Sequence, residues 1–168
     1  EINKPVVIVD QPEKITCQNN RIALDGSNST SGNNFSTIWR DANGQIIGNT
    51  EIATVEESGF YRLIVENLQN GCIDSLQVFV PIDTVAPEIQ ITTPDPLTCI
   101  ATTSTINSSI RLNGNYTYDW TTINGQIING QSTANLTVSQ PGNYDLSVFN
   151  QENGCSSTAN IFVDISTD

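Results

Sequence analysis

The chain repeats itself. Residues 5–17, Pro-Val-Val-Ile-Val-Asp-Gln-Pro-Glu-Lys-Ile-Thr-Cys, return at 87–99 as Pro-Glu-Ile-Gln-Ile-Thr-Thr-Pro-Asp-Pro-Leu-Thr-Cys. Trp39 returns as Trp120, and Asn43-Gly44-Gln45-Ile46-Ile47 as Asn124-Gly125-Gln126-Ile127-Ile128. Gly59-Phe60-Tyr61 returns as Gly142-Asn143-Tyr144, and Asn70-Gly71-Cys72 as Asn153-Gly154-Cys155. The offsets are 81 to 83 residues, so the small insertions fall between the matched blocks. Self-similarity at a fixed long period marks two copies of one domain, and we place them at 1–83 and 84–168.

Inside each copy the period is two. Ile22-Ala23-Leu24, Tyr61-Arg62-Leu63-Ile64-Val65 and Leu76-Gln77-Val78-Phe79-Val80 alternate or nearly so, as half-buried strands do. Asp25-Gly26, Asn43-Gly44, Asn70-Gly71, Asn124-Gly125 and Asn153-Gly154 stand between such runs and read as tight turns, where Asn and Gly tolerate positive φ. Some seven short strands per copy, with no helical window, predict an all-β sandwich or barrel. Trp39 falls on the third strand, where it can pack between two sheets. Tyr61 and Tyr144 open the sixth, where a tyrosine corner would sit.

Charge then excludes functions. Lys and Arg number 6 against 18 Asp and Glu, with no His, for a net charge of −12. A polyanion would be repelled, which removes nucleic acid as a partner. Without His there is no Ser-His-Asp arrangement and no ordinary neutral-pH base. Glu56 and Glu57 are adjacent, so on a strand they face opposite ways and form no carboxylate pair. A Lys–Asn crosslink is impossible in the second copy, because residues 84–168 contain no Lys. We therefore expect no enzyme. No apolar run is long enough to span a bilayer. Eleven acids against five bases in 1–83, and seven against one in 84–168, put −6 on each copy. The acidity belongs to the repeated unit. Glu1-Ile2-Asn3 opens the chain without a signal peptide, so a processed product or an excised piece is expected.

The order Leu/Ile-Thr-Cys, Leu24-Asp25-Gly26-Ser27, Trp39, Asn-Gly-Gln-Ile, Gly-x-Tyr and Asn-Gly-Cys resembles the immunoglobulin-like, PKD-type repeats strung in tandem in giant surface proteins of Bacteroidota. The resemblance covers nearly the whole chain in both copies. It implies two tandem Ig-like β-sandwiches serving as stalk or adhesive repeats, exported and displayed at the cell surface. The second copy departs from it, since Leu112-Asn113-Gly114 comes later than a clean counterpart of Leu24-Asp25-Gly26 should.

Four cysteines in an exported β-protein read as two disulfides. One reading places a bond in each repeat, Cys17–Cys72 and Cys99–Cys155. In an Ig-like sandwich, however, Cys17 precedes the second strand at one end and Cys72 follows the sixth at the other. A strand of eight residues spans roughly 26 Å, whereas bonded Cα atoms lie within about 7 Å. The other reading is an inter-repeat bond, Cys17–Cys155, with Cys72 and Cys99 pairing to further repeats. Both stand at this point. No C-x-x-C spacing points to a metal.

The carboxylates read first as a solvated, solubilising surface. Calcium is the sharper expectation, because hard cations take oxygen ligands and Asp10, Asp83, Glu88 and Asp95 lie near the joint. That joint, Pro81 to Pro87, is bracketed by two residues of fixed φ and should be semi-rigid. Asp74-Ser75-Leu76 and Asp83-Thr84-Val85 resemble the O-glycosylation sequence of Bacteroidota, attaching at Ser75 and Thr84. The resulting expectation is an extracellular structural or adhesive module with neighbouring repeats, or fibre self-assembly through sheet edges, as its partners. The alternative is a glycan- or protein-binding accessory module, for which Phe35, Tyr116 and Tyr118 are the aromatics to test.

Overall fold

The computed structural model describes residues 4–166, and every described element is a strand or a loop. The chain divides into two compact units, Glu1–Thr84 and Val85–Asp168.

The first unit contains β1 (Ile15–Thr16), β2 (Ile22–Asp25), β3 (Phe35–Arg40), β4 (Ile46–Gly48), β5 (Ile52–Val55), β6 (Gly59–Asn67), β7 (Ile73–Val80) and β8 (Ile82–Asp83). One sheet runs β4-β3-β6-β7, and β2 pairs antiparallel with β5 across from it. β1 closes the unit by running parallel to β8, with Ile15 opposite Ile82. Alternation decides which side chains meet. Tyr61, Leu63 and Val65 of β6 point inward and are buried, while Phe60 and Arg62 between them face water. Leu24, Trp39, Leu63, Val65 and Val80 form the centre of the core.

The second unit contains β9 (Ile89–Thr92), β10 (Ser104–Ile110), β11 (Tyr116–Thr122), β12 (Ile127–Asn129), β13 (Asn135–Val138), β14 (Gly142–Asn150) and β15 (Ser156–Val163). Its sheets are β12-β13-β10-β9 and β11-β14-β15. A parallel bridge from Leu97 to Ile165 takes the place of the β1–β8 pair. Trp120, Ile106, Leu136, Tyr144, Leu146 and Val148 fill the core without exposure. This is the tandem Ig-like β-sandwich architecture.

Both tryptophans are anchored as well as packed. Trp39 Nε1 donates to the Glu51 carbonyl (3.3 Å), and Trp120 Nε1 to that of Thr133 (3.0 Å). The tyrosine corners form as expected. Tyr61 Oη donates to the Glu57 carbonyl (2.8 Å) and Tyr144 Oη to the Gln140 carbonyl (2.6 Å), each four residues back.

The counterpart of Leu24 is Ile106, in keeping with Leu112-Asn113-Gly114 coming too late in the second copy to match it. Leu24 faces Ala53 across β2–β5, and Ile106 faces Leu136 across β10–β13, whereas Leu112 is exposed in the following loop. Of the five expected turn glycines, Gly44, Gly71 and Gly154 have positive φ (81°, 68° and 71°), but Gly26 and Gly125 do not. Those two are small for packing reasons: a β-carbon at 26 would run into Leu63, and one at 125 into the Tyr144 ring.

Candidate functional site

The cysteines lie on two turn types, each made twice. After β1, the Thr16 amide donates to the Asn19 carbonyl (2.9 Å) and the Asn19 amide to Thr16 Oγ1 (2.9 Å), leaving Cys17 exposed at the corner. In the second unit the Thr98 amide donates to the Ala101 carbonyl (2.9 Å) and the Ala101 amide to Thr98 Oγ1 (2.8 Å), with Cys99 exposed at the same corner. Each turn is held by the residue just after its unit's long final strand, β7 or β15, because the Ile15 amide donates to the Pro81 carbonyl (2.8 Å) and the Leu97 amide to the Asp164 carbonyl (2.9 Å).

The second type is the β6–β7 and β14–β15 hairpin. The Asn67 amide donates to the Cys72 carbonyl, the Gly71 amide to the Asn67 carbonyl (both 2.8 Å), and the Cys72 amide to Asn70 Oδ1 (3.0 Å). Asn150, Gly154, Cys155 and Asn153 reproduce these bonds at 2.8, 2.8 and 3.0 Å. Burial differs: Cys155 is 1% exposed, and Cys72 is half-buried.

Oxidation states differ as well. Cys17 and Cys155 are disulfide-bonded, and Cys72 and Cys99 are free thiols. The pairings within a repeat, Cys17–Cys72 and Cys99–Cys155, are therefore not formed. The reason lies in the sheet. Cys17 sits just past the residues that pair with β8, and Cys72 sits at the opposite end of β7. An eight-residue strand, about 26 Å long, separates the two ends. The same eight residues of β15 separate the Cys99 turn from Cys155.

Three of the four expected calcium ligands have side-chain partners of their own, and Asp95 accepts a bond through its main-chain carbonyl. Asp83 pairs with Lys14 (3.1 Å) and Glu88 with Arg111 (3.2 Å), both in solvent. Asp10 accepts from Asn28 Nδ2 (3.4 Å), and the Asp95 carbonyl accepts from Ser104 Oγ (2.6 Å). Among the described residues no group of three or more Asp, Glu or Cys side chains is placed to hold a metal ion. Ser75 and Thr84, the expected glycan sites, are exposed.

The aromatics sort by strand parity. Tyr116 and Tyr118 are half-buried against the second core, and Phe35 against the first, where it also lines a groove of about 950 Å³ between β3 and β4. The exposed aromatic pair is one that the sequence reading passed over. Phe60 and Phe79 are 52% and 45% exposed, paired across β6–β7 with ring centroids 4.9 Å apart and planes at 52°. Beside Phe60 lies a hollow of about 340 Å³ lined by Arg40, Arg62, Ile64 and Gln77. Matching Gly59-Phe60-Tyr61 against Gly142-Asn143-Tyr144 would have found Phe60, since the repeat keeps the inward Tyr and varies the outward residue.

Two carboxylates are held below the ordinary range. Asp74 is lowered by its hydrogen bond to Lys4 and then by the Val7 amide, and Asp25 by the Ser27 hydroxyl and amide. Burial, followed by the nearby Glu57 charge, raises Tyr61.

No protein-family model and no curated protein matches the chain. Solved structures do. The three N-terminal domains of the highly immunogenic outer capsid protein (Hoc) of bacteriophage RB49 match over 96% of this chain and 59% of that one, at 14% identity and a TM-score of 0.54. The N-terminal eight Ig domains of Down syndrome cell adhesion molecule match over 97% of this chain and 28% of that one, at 14% identity and a TM-score of 0.51. The chain thus spans less than two thirds of either structure. At such identity the likeness is one of fold: this chain is a tandem of Ig-like β-sandwiches.

Proposed function

We propose that the chain is a non-catalytic structural and adhesive repeat module of an extracellular surface protein or filament, acting as a semi-rigid, disulfide-stabilised rod. The oxidation pattern carries the reading. With Cys72 and Cys99 as thiols, the bonded cysteines Cys17 and Cys155 belong to different repeats. That pattern supports the inter-repeat pairing Cys17–Cys155 as the staple of the proposed rod, and a disulfide suits an exported, oxidising setting. The backbone on each side of the joint is held within its own unit. Ile82 and Asp83 belong to β8 of the first repeat, and the Val85 carbonyl accepts from Asn153 Nδ2 (2.9 Å) within the second. The tryptophans and corner tyrosines of both copies are used in packing. Glycan attachment at Ser75 and Thr84 would add to an exposed surface, and intact-mass measurement on native material reads it directly.

Peptide mapping without reduction tests the staple, and small-angle scattering tests the rod. We expect a Cys17–Cys155 peptide, and a broader distribution of dimensions in Cys17→Ser than in the oxidised chain. A Cys17–Cys72 peptide, or superimposable scattering curves, would remove the stapled rod.

A second reading, ligand binding, is favoured by one observation: the exposed Phe60–Phe79 pair beside Arg40 and Arg62 offers apolar faces and guanidinium donors together. A glycan or protein ligand there should shift amide resonances of β6 and β7, and Phe60→Ala should abolish those shifts.

A further inference from the structure

We infer that Cys72 and Cys99 are open halves of the same staple, each built to accept a further repeat of this kind: Cys99 takes the Asn-Gly-Cys hairpin of one repeat, and Cys72 the Thr-Cys turn of another. The inference rests on the Cys17–Cys155 pairing proposed above and extends it to the two thiols that pairing leaves over.

Internal duplication supplies the comparison. Cys99 stands on the backbone of its bonded counterpart Cys17, down to the Thr-side-chain bond that fixes the corner (2.8 and 2.9 Å). Cys72 likewise stands on the backbone of Cys155, with the same Asn side-chain bond (3.0 Å in each) and the same glycine in left-handed conformation, φ 68° against 71°. Both free thiols therefore occupy positions whose equivalents in this molecule are oxidised. Neither can reach the other partner type within its own repeat, because a full strand intervenes. The partner type follows by elimination. A Thr-Cys turn pairs with a hairpin cysteine, so an unpaired Thr-Cys turn calls for a hairpin and the reverse.

The chemistry is thiol–disulfide exchange with an external disulfide oxidant, either a dithiol oxidoreductase or a small-molecule disulfide. The Cys99 thiolate attacks one oxidant sulfur and expels the other as a thiolate, giving a mixed disulfide. The hairpin cysteine, having lost its proton, then attacks the Cys99 sulfur and releases the second oxidant thiolate. Two protein thiols become one disulfide, and the oxidant disulfide becomes two thiols.

The test is a concatemer in which residues 4–168 of a second copy follow Asp168 of the first. From Val163 to the second copy's Pro5 the step is then seven residues, as it is from Val80 to Pro87. Each copy alone carries two free thiols. Refolded in a glutathione redox buffer, the concatemer should show a peptide joining Cys99 of the first copy to Cys72 of the second. Free thiols should fall from four to two. Cys72→Ser in the second copy should return the Cys99 thiol and leave three. A concatemer that keeps Cys17–Cys155 in both copies and still titrates four thiols, or carries only glutathione on Cys99, overturns this inference alone. A Cys17–Cys72 peptide in the native chain overturns the reading beneath it.

Discussion

The hydroxyl of Tyr144 occupies the space that a β-carbon on residue 125 would take. It donates to the Gln140 carbonyl (2.6 Å) and accepts from the Gln126 amide (3.0 Å), so the ring has little freedom to move aside. The matching Asn43-Gly44 turn in the first copy is built differently. Gly44 has φ 81°, and nothing lies within 4 Å of where its β-carbon would be. One glycine is demanded by a neighbour, the other by its own backbone. Gly125→Ala should cost about 1–3 kcal/mol through overpacking, and Gly44→Ala about 1–2 kcal/mol through the left-handed conformation. Chemical denaturation of single and double variants separates the causes. Gly125→Ala with Tyr144→Phe should be non-additive, and Gly44→Ala with Tyr61→Phe additive within about 0.5 kcal/mol. Additivity in both pairs would mean that the Tyr144 contact is not what excludes a side chain at 125.

Asp74 ties the start of the described chain to β7. Its carboxylate accepts from Lys4 Nζ and from the Val7 amide, both at 3.2 Å, and these bonds lower its pKa below 3.8. A folded pKa below the unfolded value contributes stability that is present above pH 3.8 and lost as the pH falls below it toward the native value. Asp74→Asn removes that dependence. The wild-type melting temperature should therefore drop more steeply than the variant's as pH falls below 3.8, and the Asp74 carboxyl should titrate below 3.8 by NMR. Parallel acid limbs in the two proteins would refute the assignment.

How far the letters alone carried the reading depends on how each position is constrained. Trp39, Trp120, Tyr61 and Tyr144 were legible because each serves the core in both copies, so duplication and strand parity agreed. The second strand of the second copy was not. β10 turns Ser104, Ile106 and Ser108 inward, and two serines in three inward positions erase the apolar alternation that marks β2. Leu112-Asn113-Gly114 then matched by spelling while lying in a loop. Phe60 and Phe79 were missed for the opposite reason: apolar residues on both faces of β6 and β7 hide which face is wet. The cysteines illustrate a third case. Spacing made Cys17–Cys72 and Cys99–Cys155 look natural, and only the length of β7 and β15 separates those ends.

The four cysteines should respond unequally to substitution. Cys72→Ser and Cys99→Ser remove thiols that are at least partly exposed and should change stability by less than about 0.5 kcal/mol. Cys17→Ser and Cys155→Ser each break a disulfide, a change that typically costs about 2–4 kcal/mol. Cys155 is also buried, so its serine variant should be the worse of the two. Melting with and without reductant checks this. Reductant should lower the melting temperature of the wild type and of the first two variants but leave the latter two unmoved. Equal sensitivity across all four would contradict the assigned oxidation states.

Gly26 and Ser108 occupy the same position in the two copies and are not interchangeable. Each amide donates to the facing strand's approach, Gly26 to the Glu51 carbonyl (2.9 Å) and Ser108 to that of Ala134 (3.0 Å). In the second copy the extra atoms are used, since Ser108 Oγ donates to the Ala134 carbonyl (2.7 Å) in a buried site. In the first copy there is no room. A β-carbon at 26 would overlap Leu63 Cδ2 and stand 3.1 Å from the Glu51 carbonyl oxygen and 3.4 Å from Trp39 Cζ2. Leu63 and Trp39 are both fully buried, so neither can swing into solvent to make space. Gly26→Ser should therefore destabilise the first repeat by about 1–3 kcal/mol, although it copies the residue the second repeat prefers. Ser108→Gly should cost the second repeat about 1 kcal/mol, through the lost hydrogen bond and the added freedom of the unfolded chain. Following Trp39 and Trp120 fluorescence through denaturant unfolding, with the other Trp changed to Phe, assigns each loss to its repeat. A stabilised Gly26→Ser would show that Leu63 finds a second rotamer and that the two cores differ less than their packing implies.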